Sequence, residues 1–376
     1  MKHGYERKQI KDICKKSSSN VAQKDLIACD GEYPIYGASG FIKNVNFFHQ
    51  DNECIGLVKD GAGVGRVLFL PPKSSVIGTL QYIIPNEGYD IRYVGYCLQS
   101  INLTKYSQGA TIPHIYFRDY GEEFIVVAAD IAEQRRIVDK LDAEFAKIDA
   151  LKENAEKNLQ NAKDLFQAVL RKELEPKEGW KTKRLADLCA ITSSKRIFKS
   201  EYVSEGIPFY RTKEVKEIAN NLPISVELFI SKEKYHEIKK KFGVPKINDL
   251  LVSAVGTIGE IMVINNDRPF YFKDGNLVWL KNVQEVDSYY LKYYLKSIIE
   301  KIKSLTRGAA YNALTIERFQ EMNISYLPIE EQRTIVHRLD ELNKKSKVLE
   351  ENYQMTLTLC DDLKQALLRK AFNGEL

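Results

Sequence analysis

The sequence predicts an α+β protein made of two pseudo-twofold-related α/β globules separated by an antiparallel pair of long coiled-coil helices. Three observations lead there. The segment Ile131-Ala-Glu-Gln-Arg-Arg-Ile-Val-Asp-Lys-Leu-Asp142 returns as Ile329-Glu-Glu-Gln-Arg-Thr-Ile-Val-His-Arg-Leu-Asp340, and the match continues without a gap to Lys172 and Lys370, with 20 identities in 42 pairs. The start of the chain returns at a different offset, with Tyr5, Lys8, Ile10, Asp12, Ile13 and Cys14 matching Trp180, Lys183, Leu185, Asp187, Leu188 and Cys189. A third echo sets Gln108-Gly-Ala-Thr-Ile-Pro-His-Ile115 against Arg307-Gly-Ala-Ala-Tyr-Asn-Ala-Leu314. A chain doubled in this way has four segments: globules over 1–130 and 176–328, and helices over 131–175 and 329–376. The offsets of 198 and 175 leave about 23 extra residues inside the second globule.

Each element follows from composition and period. From Ile131 to Lys172 there is neither glycine nor proline, and Ala, Leu, Glu, Lys, Gln and Asp dominate, so this is one long helix of about 63 Å. In its copy, Leu339, Leu342, Ser346, Leu349, Tyr353, Thr356, Cys360, Leu363 and Leu367 step by threes and fours, the seam of a coiled coil. Leu141, Phe145, Ile148, Leu151, Ala155, Leu159, Ala162, Phe166 and Val169 form the matching seam of the first helix, with one skipped step. Two such stripes are most economically buried against each other; packing of each helix on its own globule, or dimerisation, are the alternatives. Pseudo-twofold symmetry then places the globules at opposite ends of the pair and brings Gly374 near the chain start. Pro176 stops the first helix and Pro328 precedes the second.

Strands are expected at Val67–Leu70, Gln81–Ile84 and Phe124–Val127, and at Leu250–Ser253, Glu260–Ile264 and Asn276–Leu280. Gly61-Ala-Gly-Val-Gly65 and Gly256-Thr-Ile-Gly259 lie between such runs and read as hairpin turns needing positive φ. Neither has the spacing of a phosphate-binding loop.

Composition excludes several classes. With 44% hydrophobic and 28% charged residues the 376-residue chain can bury real cores. No apolar run approaches the ~18 residues of a membrane span, and the polar start is unlike a secretory signal, so a cytoplasmic location is expected. The six cysteines form no CxxC pair and no cluster with histidine, which argues against a metal site or a disulfide frame. No nucleophile elbow, P-loop or kinase signature occurs, and Glu122-Glu123, Glu330-Glu331 and Asp361-Asp362 are adjacent carboxylates that face different ways. The net charge of +5 is confined to the second globule, where 25 basic face 18 acidic residues, against 14 of each in the first. That surplus suits a polyanion. A duplicated frame with divergent interiors and no reactive constellation describes a recognition device.

The chain resembles the specificity subunits of type I restriction-modification systems over essentially its whole length. The paired Glu133-Gln-Arg135 and Glu331-Gln-Arg333 helix starts, the Gly-Ala steps at 109 and 308, Gly206-Ile-Pro-Phe-Tyr-Arg-Thr-Lys213, and Asp249-Leu-Leu-Val-Ser with Gly256-Thr-Ile-Gly259 carry the resemblance. It implies two target-recognition domains, each reading half of a bipartite, asymmetric double-stranded DNA site, with two conserved spacer helices between them. It also implies two methyltransferase subunits supplying S-adenosylmethionine chemistry, and endonuclease/translocase subunits using ATP and magnesium. This chain itself would hold no cofactor and catalyse nothing. A specificity subunit of another multi-subunit restriction type, a coiled-coil protein-binding adaptor and a self-contained nuclease or methyltransferase are the competing readings.

Residue expectations follow. For DNA contact these are Tyr36, Ser39, Lys43, Lys59, Arg66, Gln108 and His114 in the first globule, and Tyr210, Arg211, Lys213, Lys273, Arg307, Tyr311 and Asn312 in the second. Glu133, Gln134, Arg135, Glu331, Gln332 and Arg333 are expected to cap the helix starts, to join globule to spacer or to meet the methyltransferase.

Overall fold

The computed structural model describes residues 4–109, 111–305 and 314–376. Its contacts group into two units, residues 1–158 with 352–376, and residues 159–351. These units cut across the four sequence segments, because part of each long helix belongs with each globule.

The first unit contains β1 (Tyr5–Gln9), α1 (Ile10–Ile13), β2 (Cys14–Ser18), β3 (Tyr33–Gly37), β4 (Gly40–Val45), β5 (Cys54–Val58), β6 (Val67–Leu70), β7 (Ser75–Val76), β8 (Leu80–Pro85), α2 (Ile91–Ser100), α3 (Phe117–Tyr120) and β9 (Phe124–Ala128). Its main sheet has the order β2-β8-β5-β6, with a smaller β4-β3-β7 sheet beside it and a β1-β9 ribbon. Strand β5 is buried throughout, Cys-Ile-Gly-Leu-Val. Both of its faces are covered, which is why it reads as a continuous apolar run rather than an alternation. Ile55 and Leu57 join the core made with α2, whereas Cys54 and Val58 join the core of the smaller sheet. Helix α2 can approach the sheet because residue 95 is glycine: a Cβ there would lie 2.2 Å from the Phe69 ring.

After β9 comes α4 (Ile131–Glu173). The second unit then runs β10 (Lys181–Arg184), α5 (Leu185–Leu188), β11 (Ala190–Thr192), β12 (Tyr202–Val203), β13 (Ile207–Tyr210), α6 (Thr212–Ala219), β14 (Phe229–Ile230), α7 (Lys232–Lys241), β15 (Leu250–Ser253), β16 (Ile261–Val263), β17 (Tyr271–Phe272), β18 (Leu277–Lys281), α8 (Ser288–Leu305), α9 (Ile316–Glu321) and β19 (Asn323–Tyr326), before α10 (Ile329–Phe372). Its main sheet, β11-β18-β15-β16, has the connectivity of the first, and β10-β19 repeats the ribbon. The parallel pairing of β3 with β7 recurs as β13 with β17. Helices α6 and α7 have no counterpart of their length between β3 and β5, and they account for the extra residues of the second copy. All six expected strands are present, and both glycine runs are hairpin turns, with Gly61, Gly65, Gly256 and Gly259 at φ between 76° and 90°.

The long helices pair within each unit. In the first, Ile137, Leu141, Phe145 and Ile148 of α4 share a core with Cys360, Leu368, Ala371 and Phe372 of α10. Lys152 Nζ donates to Asp361 at 2.7 Å and Lys364 Nζ to Asp149 at 2.5 Å. In the second, Phe166 and Leu170 share a core with Ile335 and Leu339. Ser346 Oγ donates to the Ala162 carbonyl at 3.1 Å, and Arg338 pairs with Glu173 at 2.9 Å. Partners fall in number on one helix as they rise on the other, so the pairing is antiparallel. Leu159, Leu342 and Leu367 are half-buried at its margin.

Three leucines of the expected seams leave them. Leu349 is 43% and Leu363 48% exposed, and Leu151 of α4 is also exposed. In α10 the buried or half-buried positions from Ser346 to Lys364 are Ser346, Lys347, Glu350, Tyr353, Thr356, Leu357, Cys360 and Lys364. Ser346, Tyr353 and Cys360 keep the expected seven-residue repeat, while the row covered beside them is Glu350, Leu357 and Lys364, on the flank opposite Leu349 and Leu363. Lysine stems at 152 and 364 cover the apolar surface and carry their charges to the partner helix.

The chain end does approach its beginning: a Cβ at Gly374 would lie 3.7 Å from the Tyr5 ring.

Candidate nucleic-acid interface

The helix starts fasten the globules from inside. Gln134 and Gln332 are completely buried. Gln134 Oε1 accepts from the Asp90 backbone N–H at 2.9 Å, while its Nε2 donates to the carbonyls of Gly88 and Ala128 at 3.2 and 3.0 Å. Gln332 repeats this with Asp287 N–H at 2.8 Å and the carbonyls of Glu285 and Leu327 at 3.2 and 2.7 Å. These glutamines therefore join globule to helix and have no surface to offer a partner.

Their neighbours do not cap α4 as expected. Asp130 caps it, accepting from Ala132 N–H at 3.0 Å. Glu133 instead accepts from Tyr5 Oη at 2.9 Å and from Arg136. Arg135 lies 3.7 Å from Asp90, Arg333 pairs with Glu330 at 2.9 Å, and Glu331 is exposed.

A further matched set is legible in the sequence. Asp90-x-x-Tyr93-x-x-Tyr96 at the start of α2 recurs as Asp287-x-x-Tyr290-x-x-Tyr293 at the start of α8. Tyr96 donates to Asp142 and Tyr293 to Asp340, the same carboxylate of the repeated helix. Asp90 and Asp287 accept from backbone N–H groups of their own helix starts. The signal was a second repeat one residue out of step with the first.

In the first unit, segments far apart in sequence converge on one face. Arg66 Nη1 donates to the Ala38 carbonyl at 2.7 Å, which joins the β5–β6 turn to the β3–β4 hairpin tip carrying Ser39. Gly61 N–H donates to the Pro113 carbonyl at 2.9 Å, and Gln108 and His114 exchange backbone bonds at 2.8 Å. His114 Nδ1 lies 2.8 Å from Asp60 Oδ1, and Lys59 Nζ donates to Asp60 Oδ2 at 2.8 Å. Ser39, Lys59, Arg66, Gln108 and His114 thus lie on linked loops. Tyr36 is half-buried, its ring edge-on to Phe41 at 6.0 Å. Lys43 is occupied elsewhere, with Nζ 3.1 Å from the Leu26 carbonyl and 2.5 Å from Asp30.

In the second unit, Lys273 N–H donates to the Tyr210 carbonyl at 2.8 Å, and the Tyr210 ring stacks on Phe270 at 4.7 Å. Lys273 is exposed. Arg211 is committed to structure: its guanidinium lies 2.6 Å from Glu214, which is buried, and 3.0 Å from Glu227. Lys213 pairs with Glu227 at 2.6 Å. Arg307, Tyr311 and Asn312 lie outside the described residues.

Among the described residues no group of three or more His, Cys, Asp or Glu side chains could hold a metal ion, and no helix is long and apolar enough to cross a membrane. The family described as type I restriction modification DNA specificity domain matches residues 2–161 and again residues 177–357. The chain belongs to this type I DNA specificity family.

Curated relatives agree. A chain of Haemophilus influenzae named as a type I restriction enzyme specificity subunit is 29% identical over 175 residues, 46% of this chain and 43% of the relative. The EcoBI specificity subunit of Escherichia coli is 24% identical over 307 residues, 74% of this chain and 63% of that one. The chain thus aligns with less than two thirds of either relative's length. Among solved structures, a chain from work on complex assembly and conformational transition of the type I R-M system is 20% identical over 100% of this chain and 99% of that one, with a TM-score of 0.79. The HsdS subunit from Thermoanaerobacter tengcongensis is 20% identical, covers 100% of this chain and 98% of its own, and gives a TM-score of 0.55. These likenesses establish the specificity-subunit fold, whose two copies of one frame are the two halves of the family match.

Proposed function

We propose that this member of the type I specificity family is the DNA-recognition subunit of a restriction-modification complex, reading one half of a bipartite, asymmetric site with each globule. One observation carries the reading: an identical frame, β2-β8-β5-β6 and β11-β18-β15-β16, is fastened to a repeated helix by an identical buried glutamine, while the loops it presents differ. Constant support with variable loops is what two half-sites of unlike sequence require. Phosphate contacts would position the chain, and side chains such as Ser39, Arg66, Gln108 and His114 would meet bases.

The paired helices act as a spacer, so the number of unspecified base pairs follows helix length. Catalysis lies with partners: two methyltransferase subunits bring S-adenosylmethionine, and endonuclease/translocase subunits bring ATP and magnesium. Exposed Glu331 and Arg333 remain available to such partners, unlike Gln332.

The test is to co-express the chain with its methyltransferase in an unmodified cytoplasm and map methylated adenines across the genome. A split motif with a fixed gap supports the reading. An unbroken motif, or none, overturns it.

A further inference from the structure

We propose that His114 reads one base of the first half-site through Nε2, and that Asp60 is the positioning residue deciding which hydrogen-bonding character that nitrogen has. The assignment rests on the DNA-reading function proposed above and adds a base class to it.

The geometry begins with Asp60, whose two oxygens are taken by His114 Nδ1 and Lys59 Nζ, each at 2.8 Å. An ionised carboxylate only accepts hydrogen bonds, so the proton between Asp60 and the ring belongs to Nδ1. Burial pushes the Asp60 carboxyl up, but the bonds from His114 and Lys59 outweigh it and hold the group below its ordinary value. With Nδ1–H fixed, the neutral ring carries its lone pair on Nε2. That nitrogen has no partner among the described residues, and the side chain is 38% exposed.

The ring is set in place by its surroundings. Gln108 and His114 pair through their backbones, closing the short loop between them. Gly109 permits the closure, with φ at +94°; a Cβ there would lie 2.5 Å from the Ile112 carbonyl and 3.4 Å from His114 Cδ2. The charged groups on the packed segments are Lys59 and Asp60 beside the ring, with Asp119 bonded to Gln108 and Arg118 next to it.

An acceptor presented to the major groove complements the exocyclic amino group of adenine or cytosine, and it opposes the acceptors that guanine and thymine show there.

The pair is peculiar to one copy. Ile115 N–H donates to the Lys59 carbonyl as Leu314 N–H does to that of Ala254, both at 2.9 Å, so Lys59 and Asp60 correspond to Ala254 and Val255. The sequence echo sets Ala313 against His114. The supporting bond is kept while the reading chemistry differs, as two unlike half-sites would demand.

The experiment uses the full chain assembled with its methyltransferase, and duplexes differing at one base pair of the mapped first half-site. His114→Ala is expected to lose about tenfold preference for adenine or cytosine at one position only, the size of one neutral hydrogen bond. His114→Gln, whose amide oxygen accepts near the place of Nε2, should keep part of the preference that His114→Ala loses. Asp60→Asn supplies an amide that donates to Nδ1, moves the ring proton to Nε2, and should shift the preference towards guanine or thymine. Equal weakening of all duplexes by His114→Ala, or an unchanged preference in Asp60→Asn, overturns the assignment while leaving the specificity-subunit reading intact. A wild-type complex with no sequence preference in this half-site overturns both.

Discussion

Gln134 Oε1 accepts the backbone N–H of Asp90 at 2.9 Å, so the first residue turn of α4 is tied to the cap of α2 by a side chain with no solvent exposure. Gln332 and Asp287 repeat the tie in the second unit. Substituting Gln134→Ala strands one buried N–H and two carbonyls, at a cost of roughly 2–4 kcal/mol. Thermal unfolding should show the loss, with Gln332→Ala giving a similar one. Wild-type stability in both would mean that the two ties do not hold globule to helix.

Leu349→Glu and Leu363→Glu should each change stability by about 0.5 kcal/mol or less, because both positions are exposed. Leu339→Ala, at a fully buried site, should cost roughly 2–5 kcal/mol. Urea midpoints that ranked these the other way would return Leu349 and Leu363 to the seam.

Acid sensitivity should concentrate at Glu214. Burial pushes its carboxyl up, yet bonds from the Arg211 side chain and backbone N–H outweigh burial and hold it below its ordinary value. A depressed native pKa gives stability that is complete above the ordinary carboxylate value of ~4.3 and is lost as pH falls through the lower native one. Glu214→Gln should therefore flatten the decline of the urea midpoint below about pH 4. Arg211→Ala, which leaves the buried carboxylate unpaired, should cost about 3 kcal/mol or more near neutrality.

Thiol labelling should be selective. Burial pushes Cys54 up to about 11, and Cys14 and Cys189 up to about 12, and it raises Cys97 as well. Cys360 is buried, whereas Cys29 is the one cysteine that is partly open. A maleimide at mildly alkaline pH should modify Cys29 in the native chain and all six cysteines in denaturant. Rapid native labelling of Cys14 or Cys97 would contradict the packing of the first unit.

Lys273→Ala should weaken duplex binding by a similar factor for every sequence and lower the slope of log affinity against log salt by about one. A change of preference at one base pair would make Lys273 a base reader instead. Adding one matched pair of heptads to the two helices should lengthen the gap in the methylated motif and leave both half-sites unchanged.

Much of this was legible without coordinates. The doubling, the helix starts at Ile131 and Ile329, the six strands and the positive-φ hairpins all follow from local pattern, because period, glycine and proline act within a few residues. Lys43, Arg211 and the three exposed leucines did not follow. A lysine looks equally free in a sequence whether or not Asp30 is beside it, and the flank of a helical stripe that becomes covered depends on what packs against it.

By itself the sequence determined that one frame occurs twice, with a long helix after each copy. Only the tertiary structure decided which side chains that frame holds inside and which it presents. Gln134 and Gln332 went inward, while Asp60 and His114, 54 residues apart, came within 2.8 Å of each other. The reason is physical: local propensity is set by neighbours along the chain, whereas burial and tautomer are set by neighbours across it.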